Sequence, residues 1–259
     1  MSSVTARIKE VEQPRGGYLK PSAMKCVDMK DDNVLSEKEN LNPSIVGMAV
    51  DYLTRFMMTS STKEAFKISY HGAVSAEKHG RKKAVEEAEE YLSHIRGIDD
   101  VSIANACKLV TFDVWVRAPK DALLARTAKE TNPDSNTIRN IQIMVKRSLE
   151  FWKTYGPIVD EGFDFGPDGY SSVVDTGDGD YLTKDTLWDF KVSKEKPKSK
   201  HTLQLLMYWI MGQHSGKDEF KFVTKIGLFN PRLNLVYTYD MRDIPEATIE
   251  KIEDEVICY

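Results

Sequence analysis

The chain has 259 residues, 41% hydrophobic and 29% charged, which is enough apolar side chain for a folded core and excludes a disordered polymer. Its formal net charge of −4 excludes a uniformly cationic nucleic-acid coat but leaves room for a local basic patch. Three scattered cysteines, Cys26, Cys107 and Cys258, exclude a CxxC pair, a disulfide framework and a cysteine-ligated cluster.

Residues 1–40 are polar and predict a loop-rich, partly mobile segment, with "GYLKPSAMK" packed on the body. No signal-like apolar core opens the chain, and no apolar run reaches about 18 residues, so a soluble, cytoplasmic protein with no membrane partner is expected. The remainder, 41–259, reads as one domain. It has a helical insertion at about 80–155 and a sheet-rich core at about 157–259.

"NPSIVGMAVDYLTRFMM" predicts a helix with Pro43 and Ser44 near its start and Val46, Val50, Leu53 and Met57 on one stripe. "EKHGRKKAVEEAEEYLSHIRG" predicts a second helix, stopped by Gly97. "VSIANACKLVTFDVWVRA" suits helix or strand, and helix is the reading adopted. "PDSNTIRNIQIMVKRSLEFWKTYG" predicts a helix capped by Asp134 or Ser135 and ended by Gly156.

The texture then changes. "IVDEGFDF", "YSSVVDT", "DYLT" and "TLWDFKVS" read as strands between Gly, Asp and Pro turns. "HTLQLLMYWIMGQ" is apolar on nearly every side and predicts a buried helix. "FKFVTKIGLFN" and "LNLVYTYDM" form a hairpin around "NPRLN", and "PEATIEKIEDEVI" closes as a helix with Pro245 in its first turn.

Residues 173–193 hold five aspartates among strand formers, although strands disfavour Asp. A hairpin turning at Lys184-Asp185 gives partner numbers summing to 369. Leu182 then faces Leu187, Asp180 faces Asp189 and Asp178 faces Lys191. On this register Leu187, Asp189 and Lys191 share one face, and Trp188, Phe190 and Val192 take the core side. Like charges directly opposite destabilise a hairpin, so Asp178, Asp180 and Asp189 in one patch need a divalent cation, and hard oxygen ligands suit Mg²⁺ or Mn²⁺. Lys191 is placed to hold a water or to neutralise charge building on a phosphate. The acid-x-Lys triplets "DMK" at 28–30 and "EFK" at 219–221 lack this context. The histidines form no zinc-hydrolase pattern.

"GDGDYL…LWDFKVS…HTLQLLMYW" resembles the PD-(D/E)XK nuclease superfamily, in its RecB-type and lambda-exonuclease-like branch, over roughly residues 170–212. The slots are Asp180 on one strand, Asp189 and Lys191 on the next, and Gln204 with Tyr208 on the following helix. The resemblance implies an α/β (α+β), restriction-endonuclease-like core, a mixed β-sheet flanked by helices, with a largely helical N-terminal half. It implies one or two Mg²⁺ or Mn²⁺ ions held by Asp180, Asp189 and the Phe190 carbonyl. Asp51 is a further candidate ligand, four residues after Gly47. It also implies DNA as partner, and relatives that assemble make a homo-oligomer and a recombination partner protein further expectations.

The catalytic candidates are therefore Asp180, Asp189, Lys191 and Gln204. Lys194, Lys196, Lys198, Lys200 and Tyr208 are candidates for DNA contact, Tyr208 also for support by packing. The expected function is a metal-dependent deoxyribonuclease, an exonuclease, that hydrolyses phosphodiesters by metal-activated water. A catalytically inactive DNA-binding protein of the same fold, and a metal-dependent phosphohydrolase acting on RNA, stay open as alternatives.

Overall fold

The computed structural model describes residues 2–259 and divides the chain into two compact units. Asp31–Phe151 forms one, and Trp152–Tyr259 with the N-terminal stretch through Lys30 forms the other. In chain order the elements begin with β1 (Ser2–Ser3), α1 (Val4–Glu10) and β2 (Lys25–Asp28). Helices follow: α2 (Pro43–Thr59), α3 (Thr62–Ala65), α4 (Lys67–Lys78), α5 (Ala84–Ser93), α6 (Asp100–Leu109), α7 (Val114–Arg117) and α8 (Ser135–Tyr155). Next come β3 (Ile158–Phe163), α9 (Gly166–Gly169), β4 (Val174–Thr176), β5 (Gly179–Thr183) and β6 (Thr186–Phe190). The chain closes with α10 (Ser199–His214), β7 (Lys225–Asn230), β8 (Leu235–Asp240) and α11 (Glu246–Ile252).

The second unit is built on a six-stranded mixed sheet in the order β2-β8-β7-β6-β5-β3. Only β6 and β7 pair in parallel; the other neighbours are antiparallel. A parallel pair needs a long crossover, and α10 supplies it. Because α10 is apolar nearly all round, it sits at the centre of the core. Leu203, Leu206, Met207 and Ile210 are gathered there with Leu182, Leu187, Ile226 and Leu228 of the sheet. Val4 and Ile8 of α1 and Ile252 and Val256 near the C-terminus belong to the same cluster.

The hairpin's faces differ from the expected assignment. Leu182 and Leu187 belong to this main core, so the acid-bearing face is the one turned to α10. Tyr181 and Trp188 take the other face, against Trp152 (4.8 Å from Tyr181) and Tyr155 (5.2 Å from Trp188). Gly227 makes room there: a Cβ on it would lie 2.3 Å from the Trp188 ring. Both faces of β6 are therefore buried, as a strand flanked by a parallel neighbour tends to be.

The N-terminal segment also differs from expectation. Val4, Ile8, Leu19 and Met24 are buried, β1 pairs with β4, and β2 forms the sheet edge beside β8. Arg7 Nε donates to the Val256 carbonyl at 2.8 Å. A few apolar residues in a polar stretch suffice when tertiary contacts, not propensity, hold the element.

In the helical unit α2 starts as expected. Asn42 caps it, accepting from the Ser44 N–H, and Pro43 opens the first turn. Val46, Val50 and Leu53 are buried, but Met57, assigned to the same stripe, is 39% exposed. Asp134 caps α8, accepting from the Thr137 N–H at 2.8 Å. The second expected helix is interrupted: α4 ends at Lys78, Gly80 turns at φ +92°, and α5 resumes at Ala84. Most of α4 escaped sequence patterning because its buried face is made of Ser69, Gly72, Ala73 and Ala76. Small residues give little hydrophobic signal at helical period.

Asp113, 1% exposed, ties this unit together. Tyr52 of α2 and Ser69 of α4 each donate to its carboxylate at 2.5 Å, and Arg117 Nε donates at 3.3 Å. Burial raises its pKa, and the three donors pull it back. Asp113→Ala would strand two buried hydroxyls and is expected to cost about 3 kcal/mol of stability in denaturant unfolding. A loss below about 0.5 kcal/mol, the level of an ordinary surface change, would dismiss this network as a tie.

Among the described residues no helix is long and apolar enough to cross a membrane.

Candidate active site

The hairpin register is as its residues predict. Tyr181 pairs with Trp188 and Leu182 with Leu187, so partner numbers sum to 369. Beyond Tyr181 the two strands are joined by a side chain. Asp180 Oδ2 accepts from the Phe190 N–H at 2.8 Å, which brings the carboxylate to the end of β6 beside Asp189. The Phe190 carbonyl leaves β6 on the same edge as that N–H.

Asp189 is 2% exposed. Its Oδ1 accepts from Lys191 Nζ at 2.8 Å, while its Oδ2 is buried without a hydrogen-bond partner. An unmatched buried carboxylate oxygen costs a few kcal/mol and is rare in native proteins. Burial works to lower the Lys191 pKa, but the charges of Asp189 and Asp180 and the hydrogen bond to Asp189 outweigh it. The ammonium is held above its usual range. One side of the Asp189 carboxylate is thus neutralised from within, and the other is left unmatched.

That donor set fits a hard divalent ion: an orphaned carboxylate oxygen, a second carboxylate and a backbone carbonyl at one strand end. It is smaller than the expected patch. Asp178 is exposed, precedes β5 and lies outside the ladder, so it does not pair with Lys191. Among the described residues no three His, Cys, Asp or Glu side chains converge as a metal-holding group. Asp51 lies on α2 of the helical unit, half-buried, where Arg55 Nε donates to its Oδ1 at 3.1 Å.

Gln204 and Tyr208 lie one turn apart on α10, as their spacing predicts, and Gln204 Nε2 donates to the Tyr208 hydroxyl at 3.0 Å. Tyr208 is 5% exposed, which suits support of the site and not the DNA contact assigned to it. Burial raises its pKa, Gln204 opposes the rise, and the charges of Asp189, Asp180 and Asp178 add to it.

Lys194, Lys196, Lys198 and Lys200 are all exposed. Lys198 pairs with Glu195 at 2.5 Å. The connection is tethered by buried Asn230, whose Nδ2 donates to the Ser193 carbonyl at 2.8 Å.

The candidate residues read from the sequence include neither Asn230 nor His201. His201 Nδ1 accepts from the Lys198 N–H at 3.1 Å. Burial lowers its pKa, the nearby Lys191 charge lowers it further, and Asp189 opposes both. The imidazole thus lies within electrostatic reach of the Lys191–Asp189 pair. Its position three residues before Gln204, on the same helical stripe, was the available signal. Asn230 left none, because a strand-end amide looks alike whether or not it holds a loop.

Set against known proteins, the chain matches no family model, no curated protein and no solved structure.

Proposed function

We propose that the chain is a metal-dependent deoxyribonuclease with a restriction-endonuclease-like core, in the RecB-type, lambda-exonuclease-like manner, and acts as an exonuclease. The observation that carries this reading is the buried, unpartnered Asp189 Oδ2, beside Asp180 and opposite the Lys191 ammonium on Oδ1. Asp180, Asp189 and the Phe190 carbonyl would hold Mg²⁺ or Mn²⁺, which when bound supplies Lewis-acid polarisation of the phosphodiester and a more acidic water. Lys191 is already fixed by Asp189, so its positive charge is preorganised for a phosphate oxygen that gains negative charge. The hydrogen bond from Gln204 and the surrounding core hold Tyr208 in place on α10.

Incubating the chain with Mn²⁺ and linear DNA, closed-circular DNA and RNA tests the reading. Loss of linear DNA from its ends, with circles intact, is expected. Intact linear DNA under those conditions would end the proposal. A non-catalytic DNA-binding protein of the same fold is the second reading, favoured by the commitment of the Gln204 amide to Tyr208.

The lysines between β6 and α10 are proposed to contact phosphates. Neutralising Lys194, Lys196, Lys198 and Lys200 is expected to flatten the slope of log affinity against log salt by about 3. An unchanged slope would remove the stretch from the DNA surface.

A further inference from the structure

The polar N-terminal stretch brings a second basic element to the candidate site. Pro14–Lys20, "PRGGYLK", turns through Gly16 and Gly17 at φ +91° and +86°. It lies against the start of α10: a Cβ on Gly17 would stand 2.6 Å from the Ser199 Cβ, so only glycine allows this approach. The stretch is anchored from both sides. Leu19 is buried in the main core, and its carbonyl accepts from the buried Thr202 hydroxyl at 2.6 Å. The Lys20 stem folds back over Gly16, where a Cβ would meet its Cε at 3.3 Å. The stem therefore lies beside Gly16, the residue next to Arg15 in the chain.

The charge is one-sided. Arg15 and Lys20 join Lys194, Lys196, Lys198 and Lys200 as six exposed cations, and Glu195 is the only acid within the two stretches. Among the described residues Arg15, Lys20, Lys196 and Lys200 have no ion-pair partner, although the chain as a whole is acidic. Like charges held together by a glycine contact repel one another. The arrangement becomes favourable when a polyanion lies across it and its counterions are released.

We infer that the Pro14–Lys20 loop and the Lys194–Lys200 stretch form one track for the phosphodiester backbone of DNA, with Arg15 and Lys20 as its second pair of phosphate contacts. The choice of DNA rests on the nuclease reading; the juxtaposition of the two basic stretches does not. The track leads toward Lys191 and Asp189, because the second stretch follows Lys191 directly where the chain leaves β6 and runs into α10.

The test is binding of the full chain to fluorescently labelled single- and double-stranded DNA in EDTA, so that cleavage does not intervene, over a series of NaCl concentrations. The variants are Arg15→Ala with Lys20→Ala, and Arg15→Glu with Lys20→Glu. For the alanine pair Kd is expected to rise about tenfold at 0.1 M salt, and the salt slope to fall by about 1.5 to 2. The glutamate pair should weaken binding further. Both residues are exposed, so thermal melting should match the parent chain. Kd and slope equal to the parent's in both variants would overturn the inference, as would absence of DNA binding by the parent. If the variants weaken binding as expected but the parent cleaves nothing with Mn²⁺, the track stands and the nuclease reading falls. If the parent cleaves DNA and the variants bind as it does, only the track falls.

Discussion

Asp189→Asn is expected to lower DNA cleavage by about a thousandfold and, in the same protein, to abolish the stabilisation that Mn²⁺ confers. The substitution keeps the shape of a side chain that is almost wholly buried and removes its charge. The amide that replaces the carboxylate can still accept from Lys191, but the atom in place of the orphaned oxygen then becomes a poor cation ligand or a donor. Loss of one preorganised charged group in a water-poor site removes about two to three powers of ten in rate. Loss of the ion's polarising charge adds to that. Thermal melting provides a readout independent of activity. An ion present at about 100 times its Kd stabilises the folded state by about 2.7 kcal/mol, and a chain that cannot hold the ion gains nothing. A Mn²⁺-induced melting shift in Asp189→Asn equal to that of the parent chain would show that the ion sits elsewhere.

Lys191→Ala separates the roles because its two readouts move in opposite directions. Cleavage should drop by about a hundredfold to a thousandfold, the usual cost of removing one charged donor from a transition state. Metal-free stability should also drop. The ammonium is the partner of Asp189 Oδ1, and without it both carboxylate oxygens are buried unmatched. Breaking a buried pair from one side costs about 3 to 5 kcal/mol. The Lys191 side chain is 30% exposed, so a loss of about 2 to 3 kcal/mol is expected. The Mn²⁺-induced melting shift, by contrast, should persist or grow, since the ion no longer shares the carboxylate with an internal cation. If Lys191→Ala loses the Mn²⁺ shift as Asp189→Asn does, the lysine organises the carboxylates and does not merely flank them.

Much of the sheet unit was legible from local pattern. The register around Lys184-Asp185, the buried helix after it and the hairpin about "NPRLN" each follow from side-chain period and turn residues, and each is present. These signals survive because a one-residue slip would move every apolar side chain to the wrong face. The helical half was less legible. α4 hides behind small buried residues, and the Gly80 turn divides what patterning reads as one helix. The candidate site was legible as a set of residues but not as an arrangement. The acids were expected on the face away from the core, yet they lie on the side of α10. Both faces of β6 are buried, and period-2 alternation cannot say which apolar face is the thicker one.

The sequence by itself determined which strands pair across the aspartate hairpin, that Asp180 and Asp189 share a face, and that Gln204 and Tyr208 share a helical stripe. All of these depend only on backbone periodicity and turn length, which are local. Tertiary structure alone decided that Asp189 Oδ2 is buried without a partner and that Asp178 stays out of the cluster. It alone decided, too, that a polar N-terminal loop packs Gly17 against the start of α10. Burial and close approach depend on residues far apart in the chain meeting in the folded molecule, and no local pattern carries that information.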